Sequence, residues 1–307
     1  MDQRGISPAY LALGVGELKA RAERALAGLE RCAACARVCL ADRSSGPAGA
    51  CRTGRYARVH GAFPHFGEEP PISGRWGSGT IFFSACNLSC VYCQNWEISQ
   101  GDVGEEVSDE ELASLMLQLQ GLGCHNINLV SPSHVVPQFL AALAIAAQAG
   151  LRLPIVYNSG GYDSLATLRL LDGVVDIYMP DAKYDDDGVG EALSGVACYT
   201  RVNRACLREM HRQVGDLVEV NGVATRGLLV RHLVLPEGLA GTPGVARFVA
   251  GLSPNTYFNV MGQYHPCYRA ERYPALRRRL TREEYAAAVA AARAAGLWRG
   301  LAPSLSM

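Results

Sequence analysis

The chain has 307 residues, 49% of them apolar, and its 29 basic residues balance 29 acidic ones. That apolar content excludes a disordered or collagen-like chain, which lacks the surface needed to offset the entropy of ordering. Zero formal net charge without long blocks of one sign excludes a sequence-independent nucleic-acid binder, whose affinity comes from neutralising many phosphates.

Residues 8–31 place Leu11, Leu18, Ala22 and Leu26 on one side with charges opposite, which predicts an amphipathic helix running into a cysteine cluster. Residues 40–54, rich in Gly, Ser and Arg, read as loop. The stretch HGAFPHFGEEPPISGRWGS over 60–78 is too punctuated by Pro and Gly for a regular element and reads as a connecting or site-lining loop. From residue 79 onward, apolar runs at 80–85, 127–131, 153–158, 174–180, 227–236 and 256–262 alternate with helical periods. Ser108 followed by Glu111 makes a capping box that predicts a helix over 108–121, and further helices are expected at 134–149, 163–171, 198–213, 243–250 and 281–295. Asn221–Gly222 predicts a hairpin turn ahead of the fifth run.

Six strand–helix repeats predict an α/β fold, an open (β/α)6 partial TIM barrel with a small N-terminal helical, cysteine-rich lobe. A doubly wound sheet is the alternative. The expected division is an N-terminal helix and four-cysteine metal lobe over 1–54, a Pro/Gly-rich connecting loop over 55–78, and the barrel with a C-terminal helix over 79–307. No run of about 18 apolar residues occurs, and MDQRGISPAY lacks a basic-then-apolar export signal, so a cytoplasmic protein with no membrane and no nucleic-acid partner is expected.

Of eleven cysteines, seven fall in the first 93 residues. Without an export signal, closely spaced thiols point to metal ligands before disulfides. Cys86, Cys90 and Cys93 share one loop directly after the first strand candidate, where barrels of this kind carry their chemistry. Spaced by three and then two residues, they can wrap three corners of a cluster and leave a fourth metal site open. The alternatives are a zinc site completed by a distant residue, or three unrelated thiols. Cys32, Cys35, Cys39 and Cys51 suit a tetrahedral zinc site or a closed 4Fe-4S cluster equally well. Cys124, Cys198, Cys206 and Cys267 are scattered and read as buried small hydrophobes.

Arg231 and His232 interrupt an otherwise apolar strand, and the two-residue period sends one inward and the other outward. An inward Arg231 needs an anion, either a bound carboxylate or an Asp across the barrel. Gln263, Tyr264 and His265 follow the sixth strand and are candidates for the substrate side, with a polar strand-end turn as the alternative. The loop carrying His60, His65, Glu68 and Glu69 is a candidate cover for a substrate, or a solvated linker.

The CxxxCxxC spacing with an aromatic before the last cysteine resembles the radical S-adenosylmethionine superfamily. GSGTIFFSACNLSCVYCQNWEISQ, LPIVYNSGGYDS, VDIYMPDAKY, EMHRQVGDL, RGLLVRHLVLP and NVMGQYHP resemble, more narrowly, the subfamily related to pyruvate formate-lyase activating enzymes. The resemblance implies that Cys86, Cys90 and Cys93 hold a 4Fe-4S cluster whose open iron chelates S-adenosylmethionine, with Tyr92 near the adenine and Asn158 a ribose contact. Where the activating enzymes carry a Gly-Gly-Glu-Pro segment for the cofactor's amino group, this chain reads Ser131-Pro132-Ser133-His134, so Ser131 and Ser133 are the replacement candidates. Asp181-Ala182-Lys183 matches a D-x-K motif, which points Lys183, with Arg231, at the methionine carboxylate. The implied activity is hydrogen abstraction from a small-molecule or protein substrate, possible targets including a glycyl-radical enzyme, with an electron donor such as flavodoxin or ferredoxin. A non-catalytic iron–sulfur electron-transfer or zinc-binding scaffold is the competing class, and a carrier has no use for an open three-cysteine site.

Overall fold

In the computed structural model, helix α1 (Ala9–Ala27) leads into the cysteine-rich lobe, and β1 (Ala57–His65), the short helix α2 (Pro70–Ser73), β2 (Ser78–Phe83), α3 (Trp96–Ser99) and β3 (Glu105–Val107) follow. Next come α4 (Asp109–Gly121), β4 (Ile127–Val130), α5 (Val136–Gln148), β5 (Ile155–Asn158), α6 (Leu165–Leu170) and β6 (Ile177–Tyr178). Helices α7 (Asp187–Ser194) and α8 (Tyr199–Val214) precede β7 (Val218–Val220) and β8 (Val223–Leu233), and α9 (Thr242–Leu252), β9 (Tyr257–Met261) and α10 (Arg282–Ala294) complete the order. The structure describes residues 7–301; residues 1–6, part of the segment read above for an export signal, and residues 302–307 lie outside the described residues.

Strands β2, β4, β5, β6, β8 and β9 are parallel and adjacent in that order. The order follows the chain without reversing. Right-handed crossovers therefore all fall on one face and curl the sheet, whereas a doubly wound sheet needs a reversal in strand order. Among the described residues no pairing joins β9 to β1, β2 or β3, so the barrel is open, as the six repeats predict. The core matches the pattern: Ile81, Leu129, Tyr157, Tyr178 and Leu228 are fully buried, under an α5 whose Phe139, Leu140 and Leu143 are buried too. Helix α1 packs along α5, and its first turn is fixed by Asp176, which accepts the Ala9 N–H at 2.8 Å.

Local signals hold where they were specific. Ser108 Oγ accepts the Glu111 N–H at 3.1 Å and Glu111 accepts the Ser108 N–H at 2.7 Å, closing the capping box on α4. Asn221 (φ 53) and Gly222 (φ 76) turn β7 into β8, in the left-handed region that such tight hairpins require. Residues 55–78 are corrected. They are not a loop throughout, because Ala57–His65 is a strand paired antiparallel to β2 on one side and to β3 on the other. Gly61 and Pro64 hid it: a register shift between Val59 and Gly61 absorbs the first, and Pro64 lies near the strand end. Among the described residues no helix is long and apolar enough to cross a membrane.

Candidate active site

The chain leaves β2 and turns at Ala85 (φ 64) into the loop bearing Cys86, Cys90 and Cys93. All three thiols line one cavity of about 410 Å³ at the C-terminal ends of the parallel strands, with Ser131, Asn158, Asp181, Lys183 and Arg231. Each sulfur has a donor beside it: the Leu88 N–H at 3.4 Å from Cys86, the Ser194 hydroxyl at 3.0 Å from Cys90, and the Ser99 hydroxyl at 3.2 Å from Cys93. Against thiolates these groups donate, and such bonds tune an iron–sulfur centre. Burial pushes the Cys86 thiol up to about 12 and raises Cys90 as well, so metal binding there must displace protons.

The loop is held from behind. Asn87 donates to the Tyr162 carbonyl at 2.7 Å, and Ser89 and Val91 donate to the carbonyls of Ser194 and Leu193, each at 2.9 Å. Gly160 packs against the loop so closely that an added Cβ would sit 2.6 Å from Leu88 Cδ1 and push that side chain aside. Three thiols sharing a polar cavity fit a 4Fe-4S cluster with one iron free of protein ligands.

Across the cavity, β6 and β8 meet in a charge network. Asp181 accepts from Lys183 Nζ at 2.6 Å and from Arg231 Nε at 3.1 Å, and Arg231 also donates to Asn158 Oδ1 at 2.7 Å. Arg231 thus faces inward and takes its anion from the chain itself, while an ion-pair partner at 3.6 Å, Glu68, reaches over from the loop after β1. Burial pushes the Asp181 carboxyl up, but Lys183 and Arg231 outweigh it and hold it below the usual range. Burial pushes Glu68 up despite Arg231. His232 faces the other way: its Nδ1 lies 2.6 Å from the Ala182 carbonyl and its Nε2 2.8 Å from the Thr242 hydroxyl, and burial pushes it down to about 4, so it stays neutral.

The other sequence candidates fall at different depths around the cavity. The Tyr92 side chain does not enter the cavity; it is buried behind the cysteine loop, with its hydroxyl 2.5 Å from that of Tyr184. Ser131 lines the cavity from a left-handed turn (φ 60), but Ser133 is buried beside Tyr157 and Asp163, because the turn after β4 points it away from the mouth. Gln263 lines a neighbouring cavity, whereas Tyr264 is buried with its hydroxyl donating to the Leu276 carbonyl at 2.7 Å, and His265 is half-buried beside Gln94. His60 is exposed on β1, while His65 and Glu68 line the thiol cavity.

In the N-terminal lobe Cys32, Cys35 and Cys51 are buried and electrostatically coupled, and Cys39 is exposed. Burial pushes the Cys35 thiol up to about 12. Fully buried Arg43, which no sequence pattern singles out, donates to Cys32 Sγ at 3.3 Å and to the carbonyls of Thr53 (2.7 Å) and His134 (2.9 Å). Arg37 ties the lobe to the cysteine loop through the Asn87 carbonyl at 2.5 Å. Among the described residues no three His, Cys, Asp or Glu side chains close on a single-ion position. Ser99 and Ser194 were also missed; the Asp186 cap of α7 could have located the helix that carries Ser194, but nothing in the sequence places it against Cys90.

The family model for the radical SAM superfamily matches residues 80–227, the stretch holding the three-cysteine loop and the strands up to β8. An uncharacterized protein of Methanocaldococcus jannaschii is 32% identical over 263 residues, covering 83% of this chain and 72% of that protein. Among solved structures, HydG, a maturase of the FeFe-hydrogenase, aligns with a TM-score of 0.47 and 11% identity over 69% of this chain; the chain spans 48% of its length. Methylornithine synthase aligns with a TM-score of 0.49 and 16% identity, over 72% of this chain and 63% of that one. The matched stretch contains the open three-cysteine loop and most of the parallel sheet, and with the relative's identity over most of both chains it establishes that this chain belongs to the radical SAM superfamily.

Proposed function

We propose that Cys86, Cys90 and Cys93 hold the 4Fe-4S cluster that the family implies, that S-adenosylmethionine occupies the cavity they share with Ser131, Asn158, Asp181, Lys183 and Arg231, and that the protein abstracts a hydrogen atom from its substrate. The observation that carries this reading is the set of three thiols opening on one polar cavity at the barrel mouth. When bound, the cluster and cofactor supply reductive cleavage of the sulfonium to methionine and a 5′-deoxyadenosyl radical, which takes the hydrogen. The chain's own groups bind and orient. Ser99 and Ser194 donate to the thiolates, and Lys183, with one of its three donors on Asp181, keeps the others for the methionine carboxylate. Asp181 holds both cations in place and offers an acceptor to the cofactor's amino group. Asn158, already bonded to Arg231, is suited to a ribose hydroxyl.

The spacing of Cys32, Cys35, Cys39 and Cys51 supports a second metal centre in the N-terminal lobe, zinc or iron–sulfur, and metal analysis distinguishes the two. The reductant is an electron donor of the flavodoxin or ferredoxin kind. Activation of a glycyl-radical enzyme rests on the resemblance of motifs, and fold resemblance does not fix substrate. The test is release of 5′-deoxyadenosine from S-adenosylmethionine by the anaerobically reconstituted, reduced protein. Cys90→Ala should abolish it, and equal release from mutant and parent removes the proposal.

A further inference from the structure

A second cavity, of about 550 Å³, lies beside the first and shares Gly67, Glu68 and Arg231 with it. Met261 and Tyr257 lay an apolar strip along this mostly polar cavity, and Glu69 lines it from the loop after β1. Glu69 is only 8% exposed. Its Oε1 accepts from Asn259 Nδ2 at 2.7 Å, while its Oε2, fully buried, has no hydrogen-bond partner. The neighbouring cations give their hydrogen bonds elsewhere: Arg231 to Asp181 and Asn158, Lys183 to Asp181, and Arg299, beyond Tyr257, to Glu219 at 2.9 Å. Arg231 attracts Glu69 through space but gives its hydrogen bonds to Asp181 and Asn158, so Glu69 Oε2 is left without a donor. A buried carboxylate oxygen without a hydrogen bond is costly, so the cavity is complementary to a cation that can donate one.

Resting on the function proposed above, we propose that this second cavity is the substrate site and that it takes a small molecule bearing a primary ammonium on a short hydrocarbon chain. The ammonium donates to the Glu69 carboxylate, and the hydrocarbon lies along Tyr257 and Met261. The shared wall of Glu68 and Arg231 sets it next to the cofactor cavity.

The probe is n-butylamine, with 1-butanol and butyrate as neutral and anionic controls, titrated into the reconstituted holoprotein and followed by saturation-transfer NMR. Butylammonium should bind at millimolar concentration and the controls should not. Glu69→Gln should weaken it about 10- to 100-fold, the range for a charge-assisted hydrogen bond. Met261→Trp, which fills the cavity and leaves Glu69 in place, should also abolish binding and serves if Glu69→Gln does not fold. Absence of butylammonium binding, equal binding of 1-butanol or butyrate, or full affinity in either variant overturns the proposal. Because the readout involves no turnover, failure of cofactor cleavage would remove the function proposed above and leave amine binding standing, whereas loss of amine binding alone would remove only this inference.

Discussion

Arg231 on β8 and Asp181 just beyond β6 are bonded across the inside of the barrel at 3.1 Å, so the cation that interrupts an apolar strand is matched by the chain before any ligand arrives. Lys183 grips the same carboxylate at 2.6 Å. The site is therefore a preset charge network that a bound carboxylate would join.

Arg231→Gln should destabilise the protein by roughly 3–5 kcal/mol, at the lower end because Lys183 still partners Asp181, since removing one member of a buried pair strands the other. Urea unfolding of the reconstituted protein checks this; a loss below about 1 kcal/mol would mean that the pair is solvated. Lys183→Ala, by contrast, should weaken S-adenosylmethionine binding about 10- to 100-fold, read from the EPR change of the reduced cluster, and unchanged affinity would take Lys183 out of the cofactor site.

Replacing Cys86, Cys90 and Cys93 together with Ala should remove the iron and sulfide of the catalytic cluster. The metal that stays behind identifies the N-terminal lobe: zinc would mark a structural staple, and iron with sulfide a second cluster. Iron and sulfide content equal to the parent's would refute the assignment of the three cysteines.

Ser194 sits 3.0 Å from Cys90 Sγ, and hydrogen bonds to cluster sulfurs raise the reduction potential. Ser194→Ala should therefore make the cluster harder to reduce while leaving its iron content unchanged. Redox titration followed by EPR checks the direction; an unchanged potential would show that the hydroxyl donates elsewhere, its other neighbour being Tyr184 at 2.8 Å.

His232 is buried neutral, pushed down to about 4 from an ordinary value near 6.5. A depressed histidine favours folding fully above about pH 6.5, and that contribution is lost as pH falls toward 4, about 3 kcal/mol in all. Urea midpoints at pH 7.5 and 4.5 should fall further for the parent than for His232→Gln. Identical pH slopes in the two proteins would show that His232 is not the titrating group.

The six strands, the capping box on α4 and the Asn221–Gly222 turn were legible because each depends on neighbours in the chain: apolar period, a residue three positions on, or a backbone with positive φ. The cysteine triad was legible for the same reason, as its ligand spacing is local. Strand β1 was not. Its Gly and Pro break the period that marks a strand, and only pairing with β2 and β3 makes one of it.

The sequence by itself determined the parallel α/β class, the three-thiol loop at the end of the first barrel strand and the alternation of Arg231 with His232, all set by short-range spacing. Tertiary structure decided what each group meets. It turned Arg231 onto Asp181, set the Ser194 and Ser99 hydroxyls against Cys90 and Cys93, buried Tyr92 behind the loop and left Glu69 Oε2 without a hydrogen-bond partner. Those contacts join residues from 6 to 104 positions apart in the chain, and only the curl of the sheet brings them to one mouth.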